Sequence, residues 1–176
     1  GGAGGVFAPS LSIGASIGAD VPFALLGGTA RVRGVGDELL ALPPLQGCVF
    51  VVCMPGYGIS TPQAFAAYDE VGAGRRPDTD AAEAALRSGS LPQLLPHLAN
   101  ALQKASAGKD TEKICHLLRE AGAGTALMTG SGAATYGVFA DEQTARAGLR
   151  ALRRAGFGQV WLLRPVATGP VVNEIF

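Results

Sequence analysis

The sequence of 176 residues has little charge and no excess of either sign. Charged residues make up 16% of it, and 14 basic residues balance 14 acidic ones, so the formal net charge is zero. Proteins that bind nucleic acid or anionic membranes through their overall charge carry a marked positive excess. We therefore expect no nucleic-acid partner. We interpret the local group Arg146, Arg150, Arg153 and Arg154 as the solvated face of a helix.

Long apolar runs and paired cysteines are also absent. No apolar run reaches the roughly 18 residues of a membrane-spanning helix, and the start GGAGGVFAPS lacks the basic and apolar regions of a signal peptide. The three cysteines, Cys48, Cys53 and Cys115, show neither a CxxC motif nor a zinc-ligand spacing. These absences predict no membrane partner, no disulfide, no metal site and a cytoplasmic location.

What the sequence does contain is 48% apolar residues and 26 glycines, about twice the usual share of glycine. The composition is sufficient for a compact core. The hydrophobic pattern predicts strands over 23–33, 48–54 and 159–167, and the continuous apolar run at 48–54 favours a strand covered on both faces. A turn is predicted at Gly34, Gly36 and Asp37. Helices are predicted from Thr61 to about Val71, from Asp80 with its capping partner Glu83 to about Arg87, over 91–106 with a start or kink at Pro96, after Asp110 or Thr111, and over 142–155 with Asp141 as the cap. Because strands and helices mix without a strict βαβ order, we expect an α+β fold with a mostly antiparallel sheet.

Three short stretches carry candidate functional residues. In GADVPF (18–23), the lone carboxylate of Asp20 stands in an apolar run. An isolated ionised group is strongly disfavoured away from water, so Asp20 caps a turn, pairs with a cation or works in a site. Alone, Phe65 in PGYGISTPQAF (55–65) is typical of a core aromatic, and the Gly-Ser-Gly of TGSGAATYGVF (129–139) is typical of a tight turn.

Taken together and in order, these stretches resemble the GHMP superfamily of small-molecule kinases, and within it the 4-diphosphocytidyl-2-C-methyl-D-erythritol kinases. The resemblance is carried by IGADVPFALLGGTARVRGVGDEL, PGYGISTPQAFAAYD, LANAL (98–102) and LMTGSGAATYGVFADEQTA, and it covers the chain from about residue 13. It implies that residues 1–45 are the end of an N-terminal GHMP kinase domain. Residues 46–176 would form the C-terminal domain, with a mostly antiparallel sheet packed against helices.

The resemblance also implies an activity. Members of this family phosphorylate the 2-hydroxyl of their cytidyl substrate with ATP and Mg²⁺, in non-mevalonate isoprenoid precursor synthesis. Asp20 would be the catalytic base, and Phe65 the aromatic on which the cytosine ring stacks. The further substrate-binding residues would be Thr61, Gly130, Ser131 and Gly132. We expect a small-molecule cytidyl substrate as the partner of a monomer or weak homodimer.

Two parts of the family pattern have no match in this sequence. The family begins with a strand that carries a lysine and with a glycine-serine loop that holds the ATP phosphates. Here no lysine precedes Lys104, and GGAGG at 1–5 is at best a remnant of that loop. We therefore expect a truncated chain that does not hold ATP well or act alone. Two alternatives stay open: another GHMP kinase of the homoserine or mevalonate type, and a non-catalytic domain on the same scaffold.

Overall fold

The computed structural model of this chain describes residues 20–71 and 77–167. The chain divides into two compact units. Among the described residues, one unit contains 20–46 together with 165–167, and the other contains 47–71 and 77–164. The domain limit predicted between residues 45 and 46 stays a prediction, because a compact unit is not by itself a domain of the family.

In the first unit a short helix leads into a β-hairpin: α1 (Val21–Leu26), β1 (Thr29–Arg33) and β2 (Glu38–Leu42). The two strands pair antiparallel, and the predicted turn between them is closed by a hydrogen bond from Gly36 N to Arg33 O at 3.1 Å. The strand predicted to begin at residue 23 is wrong, because residues 23–26 belong to α1. Pro22 lies in the first turn of this helix, where its fixed φ and missing N–H suit a helix start.

The second unit is an antiparallel sheet packed against helices, which confirms the expected fold class. Its strands are β3 (Val49–Met54), β4 (Thr125–Met128), β5 (Thr135–Phe139) and β6 (Gln159–Leu163). Its described helices are α2 (Thr61–Val71), α3 (Thr79–Arg87), α4 (Leu91–Leu94), a 3-10 turn (Leu95–His97), α5 (Gln103–Ser106), α6 (Thr111–Glu120) and α7 (Glu142–Arg154). The strand order is β4-β5-β3-β6, and each neighbouring pair is antiparallel.

The core of this unit lies between one face of the sheet and the helices α6 and α7. Along β3, the alternate residues Val49, Val51 and Cys53 are buried. They belong to a cluster with apolar side chains of the other strands and of both helices, including Ile114, Cys115, Leu118, Phe139, Ala145 and Leu152. The strand predicted at 48–54 is therefore confirmed within one residue.

The other face of the sheet is less covered than the sequence predicts. Phe50 and Val52 of β3 are half-buried, and Met54 is 37% exposed. On the neighbouring strand β6, Trp161 pairs with Val52 and is 46% exposed. The expectation of a strand buried on both faces is wrong in this respect, because α6 and α7 both pack on the face that carries Val51.

The helix predicted over 91–106 is interrupted at the 3-10 turn that contains Pro96, where the sequence predicts a start or kink. The structure has the one-turn helix α4, the 3-10 turn and then, after an extended residue at Leu98, the one-turn helix α5. Proline lacks the N–H that a continuing helix requires and disfavours a helical conformation in the preceding residue. The break places residues 98–102 in a connection between helices, which matters for the site described below.

Two aspartates cap the helices that follow them. Asp141 accepts a hydrogen bond from Thr144 N at 2.8 Å, as predicted for α7. For α3 the cap is Asp78, which accepts from Ala81 N at 3.0 Å, and not the predicted Asp80. The predicted partner Glu83 instead accepts from Arg87, one turn further along the helix.

The arginines of α7 are exposed, which agrees with a solvated helix face. Arg146 pairs with Glu142 one turn earlier. In the part of the chain that the structure describes, no helix has the length and apolar character needed to cross a membrane.

The buried thiol of Cys53 makes stability dependent on pH in the alkaline range. Burial raises its pKa from 9.0 to about 11, and the nearby Asp110 carboxylate adds to the increase. Between these values the unfolded chain releases the proton and the folded chain keeps it, so stability falls as pH rises. We expect this group to lower the free energy of unfolding by about 2 to 3 kcal/mol once the pH exceeds 11.

Denaturant titrations between pH 8 and pH 11, with the chain and with a Cys53→Ala variant, test this expectation. The variant loses stability at every pH because it creates a small cavity, but its decline with pH should be shallower. Parallel declines in the two proteins would contradict the assignment of this pH dependence to Cys53.

Candidate functional site

Asp20 lies in the first unit, immediately before α1. Its carbonyl oxygen accepts a hydrogen bond from Ala24 N at 3.0 Å. Its side chain is exposed and makes no capping hydrogen bond to the helix. Among the alternatives that the sequence leaves open, helix capping is therefore not how this carboxylate is used. Its predicted role as a catalytic base stays a prediction.

Thr61 stands at the beginning of α2 in the second unit. The sequence predicts Thr61 as the N-cap of this helix. In the structure the hydrogen bond from Ala64 N to Ser60 O, at 2.9 Å, places the N-cap position at Ser60, one residue earlier. The Thr61 hydroxyl is instead hydrogen-bonded to the Ser131 hydroxyl, with 2.9 Å between the two oxygens. Thr61 and Ser131 are 70 positions apart in the sequence, and the family resemblance implies that both bind substrate; in the structure they are in direct contact.

Phe65 follows Thr61 by four residues on α2. Residues at this spacing are neighbours on one face of a helix. The Phe65 side chain is 53% exposed, whereas a core aromatic is buried. The reading of Phe65 as a packing residue is therefore wrong, and an aromatic ring accessible to solvent lies one helical turn from the Thr61–Ser131 pair.

Ser131 is carried by the glycine loop, which we define as residues 129–134. The loop is a tight turn in which Thr129 N donates to Ala134 O at 2.9 Å and Gly132 N donates to Thr129 O at 3.0 Å. Gly132 has a φ of +95°, and a Cβ there would lie 2.6 Å from Ile59 Cδ1 and 2.8 Å from Met128 Sδ. A side chain at this position would displace Ile59 or Met128 and strain the backbone, so the observed turn and its packing favour glycine.

Sequence reasoning missed the residues that hold the glycine loop. They lie in the segment LANALQ (98–103), which falls within the helix predicted over 91–106, after its predicted start or kink at Pro96. Asn100 Nδ2 donates to the carbonyl oxygens of Met128 and Gly130, at 2.8 and 2.9 Å. Gln103 Oε1 accepts from Met128 N at 2.8 Å. The available signal was the presence of LANAL among the stretches that carry the family resemblance.

The second-unit site consists of an aromatic face, two hydroxyls and the backbone of a glycine loop. It can stack a planar ring, donate and accept hydrogen bonds, and allow close approach of a ligand to the backbone. Thr61, Phe65 and Ser131 contain no group that titrates near neutral pH. Within the described residues there is also no group of three His, Cys, Asp or Glu side chains that could hold a metal ion. This arrangement can bind a ligand, and proton transfer needs a residue from outside it.

Comparison with known proteins gives a consistent result. Residues 75–158 match the family described as GHMP kinases C terminal. The chain is 40% identical over 140 residues to the 4-diphosphocytidyl-2-C-methyl-D-erythritol kinase of Moorella thermoacetica, a match that covers 76% of this chain and 48% of that enzyme. It is 35% identical over 164 residues to the enzyme of the same name from Desulfitobacterium hafniense, covering 91% of this chain and 56% of the relative.

Solved structures agree with the sequence comparison. A crystal structure of 4-(cytidine 5'-diphospho)-2C-methyl-D-erythritol kinase aligns with a TM-score of 0.67 and 32% identity, over 87% of this chain and 55% of that one. A homoserine kinase from Cytophaga hutchinsonii aligns with the same TM-score but at 15% identity, over 85% of this chain and 52% of that one, which is a likeness of fold alone. The chain spans about half the length of the curated relatives it matches.

Proposed function

Since the chain belongs to the GHMP kinases and matches the C-terminal part of the 4-diphosphocytidyl-2-C-methyl-D-erythritol kinases, we propose that it serves the ATP-dependent phosphorylation of the 2-hydroxyl of that cytidyl compound. This reaction belongs to non-mevalonate isoprenoid precursor synthesis. The observation that supports the proposal most directly is the hydrogen bond between Thr61 and Ser131 beside the exposed ring of Phe65. Thr61 and Ser131, from two different motifs of the resemblance, are in contact, and Phe65 follows Thr61 by one helical turn.

In this proposal the second-unit site binds the cytidyl group. The ring of Phe65 stacks on the cytosine, an interaction worth roughly 1 to 3 kcal/mol per base in other proteins. The hydroxyls of Thr61 and Ser131 hydrogen-bond polar atoms of the substrate. The glycine loop lets the substrate approach its backbone closely at Gly130, where a Cβ would meet nothing within 4 Å.

We assign the proton transfer to Asp20. Its carboxylate accepts the proton of the 2-hydroxyl as the hydroxyl oxygen forms a bond to the γ-phosphorus of ATP. The bond between that phosphorus and the bridging oxygen breaks, ADP leaves, and Asp20 later returns the proton to solvent. In phosphoryl transfer the protein contributes mainly positioning and charge stabilisation. A single base that accepts the proton of the 2-hydroxyl is therefore sufficient for this step.

ATP and Mg²⁺ remain predictions of the family resemblance. Among the described residues, no group of three His, Cys, Asp or Glu side chains could hold a metal ion. The candidate remnant of the phosphate loop, residues 1–5, lies outside the described residues. We also propose that the protein acts in the cytoplasm as a monomer or weak homodimer.

The proposal is tested with the protein expressed from its complete gene. Purified protein is incubated with ATP, Mg²⁺ and each of three acceptors: the cytidyl compound, homoserine and mevalonate. We expect transfer of the γ-phosphate to the cytidyl compound alone, with phosphorus NMR locating the new phosphate on the 2-hydroxyl. Transfer to homoserine or mevalonate instead would support another GHMP kinase. Binding of the cytidyl compound without binding of ATP would support a non-catalytic domain.

A further inference from the structure

The outer edge of β4 is covered by two carboxamide side chains. β4 is at the end of the sheet order, so β5 is its one partner strand among the described residues. At its last residue, Met128, the N–H donates to Gln103 Oε1 and the carbonyl oxygen accepts from Asn100 Nδ2, both at 2.8 Å. The two amides therefore satisfy both backbone groups of Met128 where a further strand would otherwise pair.

Asn100 also extends this contact into the glycine loop. The same Nδ2 that bonds Met128 O lies 2.9 Å from Gly130 O, and the Oδ1 of Asn100 accepts from Leu102 N at 2.9 Å. A flipped amide would place its oxygen against two carbonyl oxygens, so the three contacts fix the orientation of the side chain. The position requires two N–H donors and one acceptor, which matches the asparagine side chain and which neither aspartate nor serine supplies.

The glycine loop needs such an external restraint. Two of its six residues are glycines with positive φ, +56° at Gly130 and +95° at Gly132. Glycine loses more conformational freedom on folding than any other residue, so a loop of this composition is costly to hold in one shape. Gly130 O, which Asn100 holds, belongs to the residue directly before Ser131.

We infer that Asn100 is a positioning residue for the substrate site. Its two donors fix the carbonyls of Met128 and Gly130, and thereby hold Ser131 where its hydroxyl meets Thr61. The inference rests on the proposed function to the extent that the loop binds the cytidyl substrate. The fixing of the loop itself is a property of the fold and can be measured separately.

Two matched variants test this inference. Asn100→Asp keeps the size of the side chain and the acceptor for Leu102 N, but it removes both donors and faces two carbonyls with an oxygen. Gln103→Glu introduces the same charge three residues away and keeps an acceptor for Met128 N. Both variants replace an amide that contacts Met128 with a carboxylate. They differ in that Asn100→Asp alone removes the hydrogen bonds donated to the carbonyl oxygens of Met128 and Gly130.

The first measurement is hydrogen exchange at the amides of Thr129 and Gly132, which are hydrogen-bonded within the loop. We expect exchange to become at least about tenfold faster in Asn100→Asp, because the loop opens locally, and to stay close to the original rate in Gln103→Glu. The amides of α7 serve as the reference for global stability. If Asn100→Asp does not fold, Asn100→Ala removes the same donors without adding charge.

The second measurement is steady-state kinetics with the protein expressed from its complete gene. Displacing Ser131 should raise KM for the cytidyl compound about tenfold, with KM for ATP little changed, as expected for a hydrogen-bonding group moved out of a binding site. A residue that is merely structural would lower the active fraction and leave both KM values unchanged.

The results separate this inference from the proposed function. Unchanged loop exchange in the Asn100 variants, or faster exchange throughout α7 to the same degree, would overturn the inference. Faster loop exchange with an unchanged KM for the cytidyl compound would also overturn the positioning role. Absence of phosphate transfer by the unaltered protein would contradict the proposed function, and in that case the exchange comparison alone decides whether Asn100 fixes the loop.

Discussion

Asp20→Asn is expected to reduce kcat for phosphorylation of the cytidyl compound by a factor of about 10² to 10⁴, the usual contribution of a positioned base. Asparagine has the same shape as aspartate but cannot accept the hydroxyl proton. KM values should change little, because the proposed substrate contacts are made by other residues. Stability should also change little, since the Asp20 side chain is exposed and makes no capping hydrogen bond to α1.

Asp37→Asn is the matched control for this substitution. Asp37 is another exposed aspartate of the first unit, in the turn between β1 and β2, where its Oδ1 accepts from Val35 N at 3.2 Å. Asparagine preserves that acceptor, so the variant makes the same change in charge at a position without a proposed role. A kcat for Asp20→Asn close to that of Asp37→Asn would remove Asp20 from the mechanism.

Phe65→Ala is expected to raise KM for the cytidyl compound about 5- to 150-fold, the equivalent of roughly 1 to 3 kcal/mol of lost base stacking. KM for ATP should stay nearly constant. Because Phe65 is 53% exposed, its truncation removes little packing, and the melting temperature should fall by only a few degrees.

Two conservative variants identify the property of Phe65 that matters. Phe65→Tyr keeps an aromatic face and should remain close to the unaltered protein, whereas Phe65→Leu keeps apolar volume without the face and should resemble Phe65→Ala. Equal KM values for Phe65→Leu and the unaltered protein would show that hydrophobic contact is sufficient. An equal rise in KM for ATP and for the cytidyl compound would contradict a base-specific role.

Much of the second unit could be predicted from the sequence, because its elements have strong local signals. The run 49–54 is short and rich in β-branched and aromatic residues, which favours a strand on a sheet surface. The Asp141 cap and the apolar spacing of α7 determine a helix within one or two residues. The stretch VPFALL was harder, since a short apolar run fits a buried strand or a short helix equally well. There the proline at the helix start decided the outcome.

The contacts that make the candidate site could not be predicted in the same way. The hydrogen bond between Thr61 and Ser131 joins residues 70 positions apart, and no local pattern encodes such a pairing. Leucines at helical spacing around Asn100 predict a helix that starts or kinks at Pro96, and the chain is indeed broken after the 3-10 turn. Neither the leucines nor the proline indicates that Asn100 contacts the glycine loop. The family resemblance implies a shared role for Thr61 and Ser131, but the hydrogen bonds that join them and that connect Asn100 to the glycine loop are seen only in the tertiary structure.

The carboxamides on β4 have a consequence for the behaviour of the protein at high concentration. An uncovered strand at the end of a sheet is a template on which a second molecule can add a strand, and this is a common route to aggregation. Here Met128 already uses its N–H and carbonyl, and Ala126 O, two residues earlier on the same strand, accepts from Arg119 at 2.8 Å. Asn100 and Gln103, which contact the glycine loop and its preceding strand, thus also occupy backbone groups at the edge of β4 with which a strand of a second molecule would otherwise pair.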